Sequence, residues 1–209
     1  MAKAEKDKQD LTIFSILLLT SRLVPFSFFA DDKNGDASKQ RDYRTPLFER
    51  PEIQERLNTY LELIKSYSGS GTYFVRKISA QAMLPLLKFS EFIPEIVRTL
   101  TSLRESGNSL RQNQAHGLLV RVQIFMEAYF KYRELAKSSD ATDSSFVEEE
   151  TQLLQALMTF QQNLVNWGKY SRVTWALFLK ILRQGLSKVG REVAQPFLAS
   201  LQEQYGQEY

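Results

Sequence analysis

Apolar residues recur three and four positions apart along most of this chain, which is the spacing of one face of an α-helix. Ile53, Leu57, Leu61 and Ile64 form one such stripe, and a longer stripe runs through 118–129. Sustained alternation of apolar and polar residues, which is typical of a half-buried strand, does not occur in the sequence. The pattern therefore predicts an all-α protein.

Prolines, glycines and polar loops divide these stripes into about seven to eight helices. The predicted helices cover 10–23, 46–67 with a restart at Pro51, 72–87, 92–103, 109–136, 145–167, one from 171 that Gly190 ends, and a last one that includes 193–201. Asp10, Ser145 and Ser171 are the predicted N-caps, and Ser145 forms a capping box with Glu148. The tail after 201 is expected to fray.

Short connections between these helices predict antiparallel neighbours. Helix pairs of about forty residues match the period of armadillo or HEAT repeats. We therefore expect one armadillo/HEAT-like solenoid segment over 1–209, although no strict sequence repeat is visible and a compact bundle is the alternative. Both ends of the chain are amphipathic without a polar cap, which is typical of a piece of a longer array.

The apolar stretch 11–29 follows three lysines and invites comparison with a signal peptide or a membrane anchor. Acidic residues mixed among the lysines argue against both, and so do Arg22 and Pro25 within the stretch. Bulky Phe28 stands where a signal cleavage site wants a small residue. A buried helix is the favoured interpretation, so we expect no transmembrane segment.

Composition narrows the chemistry further. The chain has no cysteine and a single histidine, His116, so we expect no thiolate site and set metal binding aside. The sequence contains no glycine-rich phosphate loop, nucleophile elbow or zinc motif. We therefore predict a protein that is not an enzyme, with no cofactor and no small-molecule substrate. The net charge of +3 permits contact with nucleic acid without requiring it.

Three blocks between residues 75 and 119 carry the most information. The first is Val-Arg-x-x-Ser-Ala-x-Ala-Met-x-Pro at 75–85, the second holds Ile-Pro at 93–94 and Arg-Thr-Leu at 98–100, and the third is Asn-Gln-Ala-His-Gly-Leu-Leu at 113–119. Together with Leu-Leu-Leu-x-Ser-Arg-Leu-x-Pro at 17–25, their order and spacing resemble the thyroid-adenoma-associated (THADA) family. The likeness covers about 11–130, with a helical continuation over 145–205. Arg121 departs from the family pattern, where glutamine is expected.

This resemblance implies a non-catalytic scaffold, drawn from the later part of a very large helical-repeat protein. Family members are similar in binding a separate tRNA methyltransferase subunit and in helping it 2′-O-methylate a ribose of the anticodon loop. The cofactor S-adenosylmethionine would then belong to that partner, and the protein would be cytoplasmic. The alternative is a generic α-solenoid that binds proteins or regulates a membrane pump, without an RNA role.

The candidate binding residues lie inside the family-like blocks. Arg76 and Arg111 are the favoured contacts to tRNA phosphates, with Lys77 beside the first. Asn113 and His116 share a helix face and are expected to bridge the groove between helices. Structural packing is the favoured role for His116, because no nucleophile or carboxylate cluster accompanies it. A solvated helix face is the ordinary explanation for the basic bias of this region, which comprises Arg76, Lys77, Arg98, Arg104, Arg111, Arg121, Lys131 and Arg133.

Overall fold

The computed structural model describes residues 2–23, 51–106, 109–136, 144–162 and 171–205. These residues form eight α-helices and three short 3₁₀ turns, and they contain no strand. The helices are α1 (Ala2–Ser21), α2 (Pro51–Ser66), α3 (Tyr73–Met83), α4 (Phe92–Ser106), α5 (Gln112–Ala136), α6 (Ser144–Gln162), α7 (Arg172–Lys188) and α8 (Arg191–Tyr205). The predicted all-α class is confirmed.

Most predicted breaks coincide with observed ones. Pro51 opens α2, where its missing N–H costs no hydrogen bond. Ser171 caps α7 by accepting a hydrogen bond from the backbone N–H of Thr174 at 3.4 Å. Two predicted starts were wrong. Asp10 lies inside α1, because the good helix formers before it extend the helix to Ala2, and α6 begins one residue before Ser145. The helix start predicted at 46 lies outside the described residues.

The chain divides into two compact units, Met1–Glu91 and Phe92–Tyr209. In the first unit, α3 packs against both α1 and α2. Ser79, Ala80 and Ala82 are at most 1% exposed, so small side chains line the buried face of α3 and permit close approach of a neighbouring helix. A hydrogen bond of 2.9 Å between the hydroxyls of Thr20 and Tyr60 ties α1 to α2. None of the helices in the described part of the chain combines the length and hydropathy of a membrane span.

In the second unit, helices two apart in the chain stack on each other. Helix α6 packs against α4 and α8, and α5 packs against α7, while α5 also covers α4. This contact pattern is the one that helical repeats generate when each pair stacks on the next. Edge-to-face ring pairs fill the interior, with centroids 5.3 Å apart for Phe92 and Phe125 and 5.0 Å apart for Phe160 and Phe178. Whether residues 1–209 form one solenoid segment stays a prediction.

Gly185 lies where the backbone of α7 packs closely against side chains of α5 and α6. A Cβ at this position would lie 2.9 Å from Leu157 Cδ1 and 3.4 Å from Met126 Cε. We expect Gly185→Val to lower the free energy of unfolding by about 2 kcal/mol, because a branched side chain overpacks this crossing. Chemical denaturation measures the change. Ala176→Val, on the exposed side of the same helix, is the matched control, and an equal loss in both variants would contradict a packing origin.

Candidate functional site

Arg76, in the first turn of α3, is a buried cation. The residue is 7% exposed, and its Nη1 donates a hydrogen bond to the carbonyl oxygen of Ser70 in the preceding turn. The guanidinium carbon lies 5.9 Å from the ring centroid of Tyr73. Its Nε has no hydrogen-bond partner among the described residues. Burial lowers the pKa of this guanidinium from its ordinary value, and the nearby Tyr73 raises it in partial compensation.

Arg76 is buried on α3 while an aromatic residue two positions earlier is not. Phe74 is 52% exposed, with its ring centroid 5.7 Å from that of Phe14. Lys77 is exposed on the solvent side. The helix is rotated so that the long aliphatic stem of Arg76 is buried while its head reaches a backbone carbonyl. Arg76 therefore holds the turn before α3, and Lys77 is the accessible cation of this pair.

Arg111 occupies the N-cap position of α5. Its carbonyl oxygen accepts hydrogen bonds from the N–H groups of Gln114 and Ala115, at 3.0 and 3.1 Å. Its own N–H donates to Oε1 of Gln114 at 3.1 Å, which is the backward half of a capping box. The residue is exposed. A cation at a helix N-terminus opposes the helix dipole, so the charge of Arg111 does not stabilise α5.

Asn113 and His116 follow in the same helix. Asn113 is exposed, His116 is half-buried, and Gly117 is buried. The expected bridging role of Asn113 and His116 stays a prediction. The candidate residues thus fall into two groups, one in each unit: Arg76 and Lys77 in the first, and Arg111, Asn113 and His116 in the second.

Arg121, the departure from the family pattern, is paired in the interior of the second unit. Its Nη1 lies 3.4 Å from Oε1 of Glu95, and both side chains are at most 6% exposed. Arg98 bonds the other carboxylate oxygen of Glu95 from a mostly exposed position. The Arg121–Glu95 ion pair joins α4 to α5. Two of the basic residues of this region, Arg98 and Arg121, therefore neutralise one buried acid. The sequence does carry a signal that Glu95 faces inward. Glu95 lies three residues after Phe92 and four before Thr99, so the three residues share one face of the helix.

A second buried acid, Glu150, joins three parts of the second unit. Its carboxylate pairs with Arg133 of α5 and accepts a 2.9 Å hydrogen bond from the N–H of Gly190, between α7 and α8. Arg133 also donates to the carbonyl oxygen of Lys188 at 2.9 Å. Glu150 is 1% exposed. No local pattern in the sequence reveals this acid, because its partners Arg133 and Gly190 lie outside its own helix.

Glu149 and Tyr129 lie beside this pair. Burial raises the pKa of Glu149, its hydrogen bond with Tyr129 lowers it, and the neighbouring Glu150 and Glu148 raise it. Burial and the adjacent Glu149 raise the pKa of Tyr129. The protonated forms of Glu149 and Tyr129 are thus favoured more than they are for the same groups in water. These groups are enclosed among α5, α6 and the α7–α8 connection, so the cluster is structural.

A cleft of about 330 Å³ lies between α4 and α6. Val97, Leu100, Ala156 and Phe160 form its apolar lining, and its polar lining comprises Thr101, Arg104, Gln152, Gln155 and Thr159. Neither a carboxylate nor a histidine is among these described lining residues, so the cleft suits an apolar side chain of a partner rather than acid–base chemistry. Within the described ranges, no group of three or more His, Asp or Glu is arranged to hold a metal ion.

Comparison with protein families gives one match. Residues 41–125, less than half of the chain, match the family model described as Trm732, C-terminal TPR repeats. Its residues 51–83 hold the pair α2–α3, close to the 34-residue length of one TPR unit. The chain is therefore similar to a helical-repeat family, and the armadillo or HEAT class stays a prediction. Neither the curated proteins nor the solved structures include a match.

Proposed function

We propose that this chain is a non-catalytic scaffold segment that supports 2′-O-ribose methylation of the tRNA anticodon loop by a separate methyltransferase subunit in the cytoplasm. The observation that carries the proposal is the match of 41–125 to the Trm732 C-terminal repeats. That stretch contains the three blocks that resemble the THADA family. The stacked helices of the second unit support a scaffold role, and S-adenosylmethionine would be bound by the partner.

Lys77 and Arg111 are the proposed contacts to tRNA phosphates. Both side chains are exposed, so a phosphate can reach each charge while the helices stay folded. The charge of Arg111 does not stabilise α5, which favours a functional reason for that charge. Arg76 acts as a positioning residue, because it secures the turn at Ser70 just before the helix that bears Lys77.

Reversing the two exposed charges tests this contact. We expect Lys77→Glu/Arg111→Glu to weaken binding of an anticodon stem-loop RNA about tenfold near 0.15 M salt, and to reduce the slope of log K against log salt by about 1.4. Fluorescence anisotropy over a salt series measures both quantities. Lys88→Glu/Lys131→Glu changes the net charge equally at other exposed positions and is the control. Equal affinities and slopes in all three proteins would retire Lys77 and Arg111 as RNA contacts.

The scaffold role has a separate test. Co-expression of the full chain with the candidate methyltransferase, followed by purification and a ribose-methylation assay on the anticodon loop, should give a complex and a modified nucleotide. Deletion of the chain's gene should abolish the modification. If the two proteins fail to associate and methylation survives the deletion, the scaffold proposal is wrong.

The alternative is a helical-repeat module that binds another protein and has no RNA role. The α4–α6 cleft favours it, since an apolar lining with a polar rim is typical of a protein-binding groove. Under this alternative the deletion leaves tRNA methylation intact, and Ala156→Trp, which fills the cleft, weakens partner binding. The methylation assay therefore separates the two proposals.

A further inference from the structure

Helix α7 carries charge of one sign. Its four charged residues are Arg172, Lys180, Arg183 and Lys188, and it contains no aspartate or glutamate. Lys188 lies 3.0 Å from Glu134 of α5 and is therefore neutralised. The other three make no ion pair with any described residue. All three are exposed.

The orientation of α7 is set by its opposite face. Phe178 and Ile181 are at most 1% exposed, and Gly185 brings the helix backbone against Leu157. The Ser171 cap holds the first turn. Since the buried face cannot turn outward without opening the core, the three cations are held on the solvent side of a rigid helix.

The distance between these cations along α7 is long enough to span several phosphates of a nucleic-acid strand. Arg183 lies eleven positions after Arg172, so the two residues are about 16 Å apart along the helix axis. A strand of double-stranded DNA presents a phosphate about every 3.4 Å of its axis. The shorter rise of an RNA duplex places at least as many phosphates within the length between Arg172 and Arg183. Neutralising them releases counterions, and that release is the main source of affinity for nucleic acid.

We propose that the outward face of α7, defined by Arg172, Lys180 and Arg183, binds the phosphate backbone of an RNA. This inference rests on the proposed function and deepens it, because it adds an RNA contact outside the family-like blocks. Two aliphatic residues, Val173 and Leu179, are 66% and 57% exposed on α7. They are too few for insertion into a lipid surface, since the main apolar face of α7 is committed to the core. An RNA is therefore favoured over a membrane.

The test compares matched charge reversals in the full chain. We expect Lys180→Glu/Arg183→Glu to weaken binding of an anticodon stem-loop RNA by at least about tenfold near 0.15 M salt and to lower the salt slope by about 1.4. Lys88→Glu/Lys131→Glu, with the same change in net charge, should retain affinity within about twofold of the unmodified chain. Wild-type affinity and slope in the α7 variant would overturn the proposal. Circular dichroism melts confirm that each protein is folded.

A vesicle-binding measurement separates an RNA-binding face from a membrane-binding face. If phosphatidylserine vesicles bind the unmodified chain, the α7 variant loses that binding, and RNA affinity is equal in both, the face binds membranes and the RNA proposal is overturned. The RNA measurement needs no methyltransferase. Loss of RNA affinity in the α7 variant thus upholds this inference even where the methylation assay refutes the scaffold role.

Discussion

Glu150→Ala is expected to lower the free energy of unfolding of this protein by about 4 kcal/mol. Its carboxylate is 1% exposed, pairs with Arg133 and accepts a hydrogen bond from the N–H of Gly190. Removing one member of a buried ion pair leaves an uncompensated charge, which costs about 3–5 kcal/mol. The substitution also strands a backbone donor at the start of α8. Urea denaturation followed by circular dichroism gives the value.

Two further variants separate the contributions of the charge, the hydrogen bond and the burial to that loss of stability. Glu150→Gln retains an oxygen for Gly190 but not the charge, so we expect a loss of about half the size. Glu148→Gln, two residues earlier and exposed, should change stability by less than about 0.5 kcal/mol. Hydrogen exchange should report early opening of α8, because the bond to Gly190 holds its first turn. Equal stability of the Glu150 and Glu148 variants would show that the buried pair contributes nothing.

Glu95→Gln is the second large effect, with an expected loss of about 3 kcal/mol. It leaves Arg121 buried between α4 and α5 without its carboxylate. Arg121→Gln should cost less, because Glu95 then keeps its bond to the mostly exposed Arg98. The glutamine expected from the family resemblance is thus the milder change. Thermal and urea unfolding of both single variants measure the asymmetry.

A double-mutant cycle isolates the pair itself. Glu95→Gln/Arg121→Gln removes both charges, so the double variant should be more stable than Glu95→Gln alone by more than about 1 kcal/mol. Glu105→Gln, at the exposed end of the same helix, serves as the control for losing an acid from α4. Strict additivity of the two single changes would mean that Glu95 and Arg121 do not interact.

The positions of most helices were predictable because they follow from local chemistry. Pro51, Ser171 and Gly190 act within a few residues of themselves, and the structure places helix boundaries at each. The N-cap predicted at Asp10 was wrong, because the helix formers before it extend α1 to Ala2. Which apolar side chains of a helix meet a neighbouring helix was also less predictable. Leu179 is apolar, like the buried Phe178 beside it, and yet is 57% exposed.

The candidate site was only partly predictable for a related reason. In the sequence, Arg76, Arg98, Arg121 and Arg133 belong to the basic bias of this region, for which a solvated helix face was the favoured explanation. The structure shows Arg76 bonded to Ser70, and pairs the other three with Glu95 or Glu150. The acids that neutralise Arg121 and Arg133 lie on other helices. The basic residues of α7 that make no ion pair with a described residue were missed, because a count of charges does not separate paired from unpaired residues.

The amino-acid sequence by itself determined that this protein is helical, where most of its helices end, and that its blocks between 75 and 119 resemble a helical-repeat family. Those properties depend on residues within one or two turns of each other, where propensity, capping and periodicity act. Only the tertiary structure decided that Arg76 is buried, that Arg121 has a partner and that α7 presents three exposed cations that make no ion pair with a described residue. Burial and charge pairing depend on which helices meet, and residues such as Glu95 and Arg121 meet only when the chain is folded.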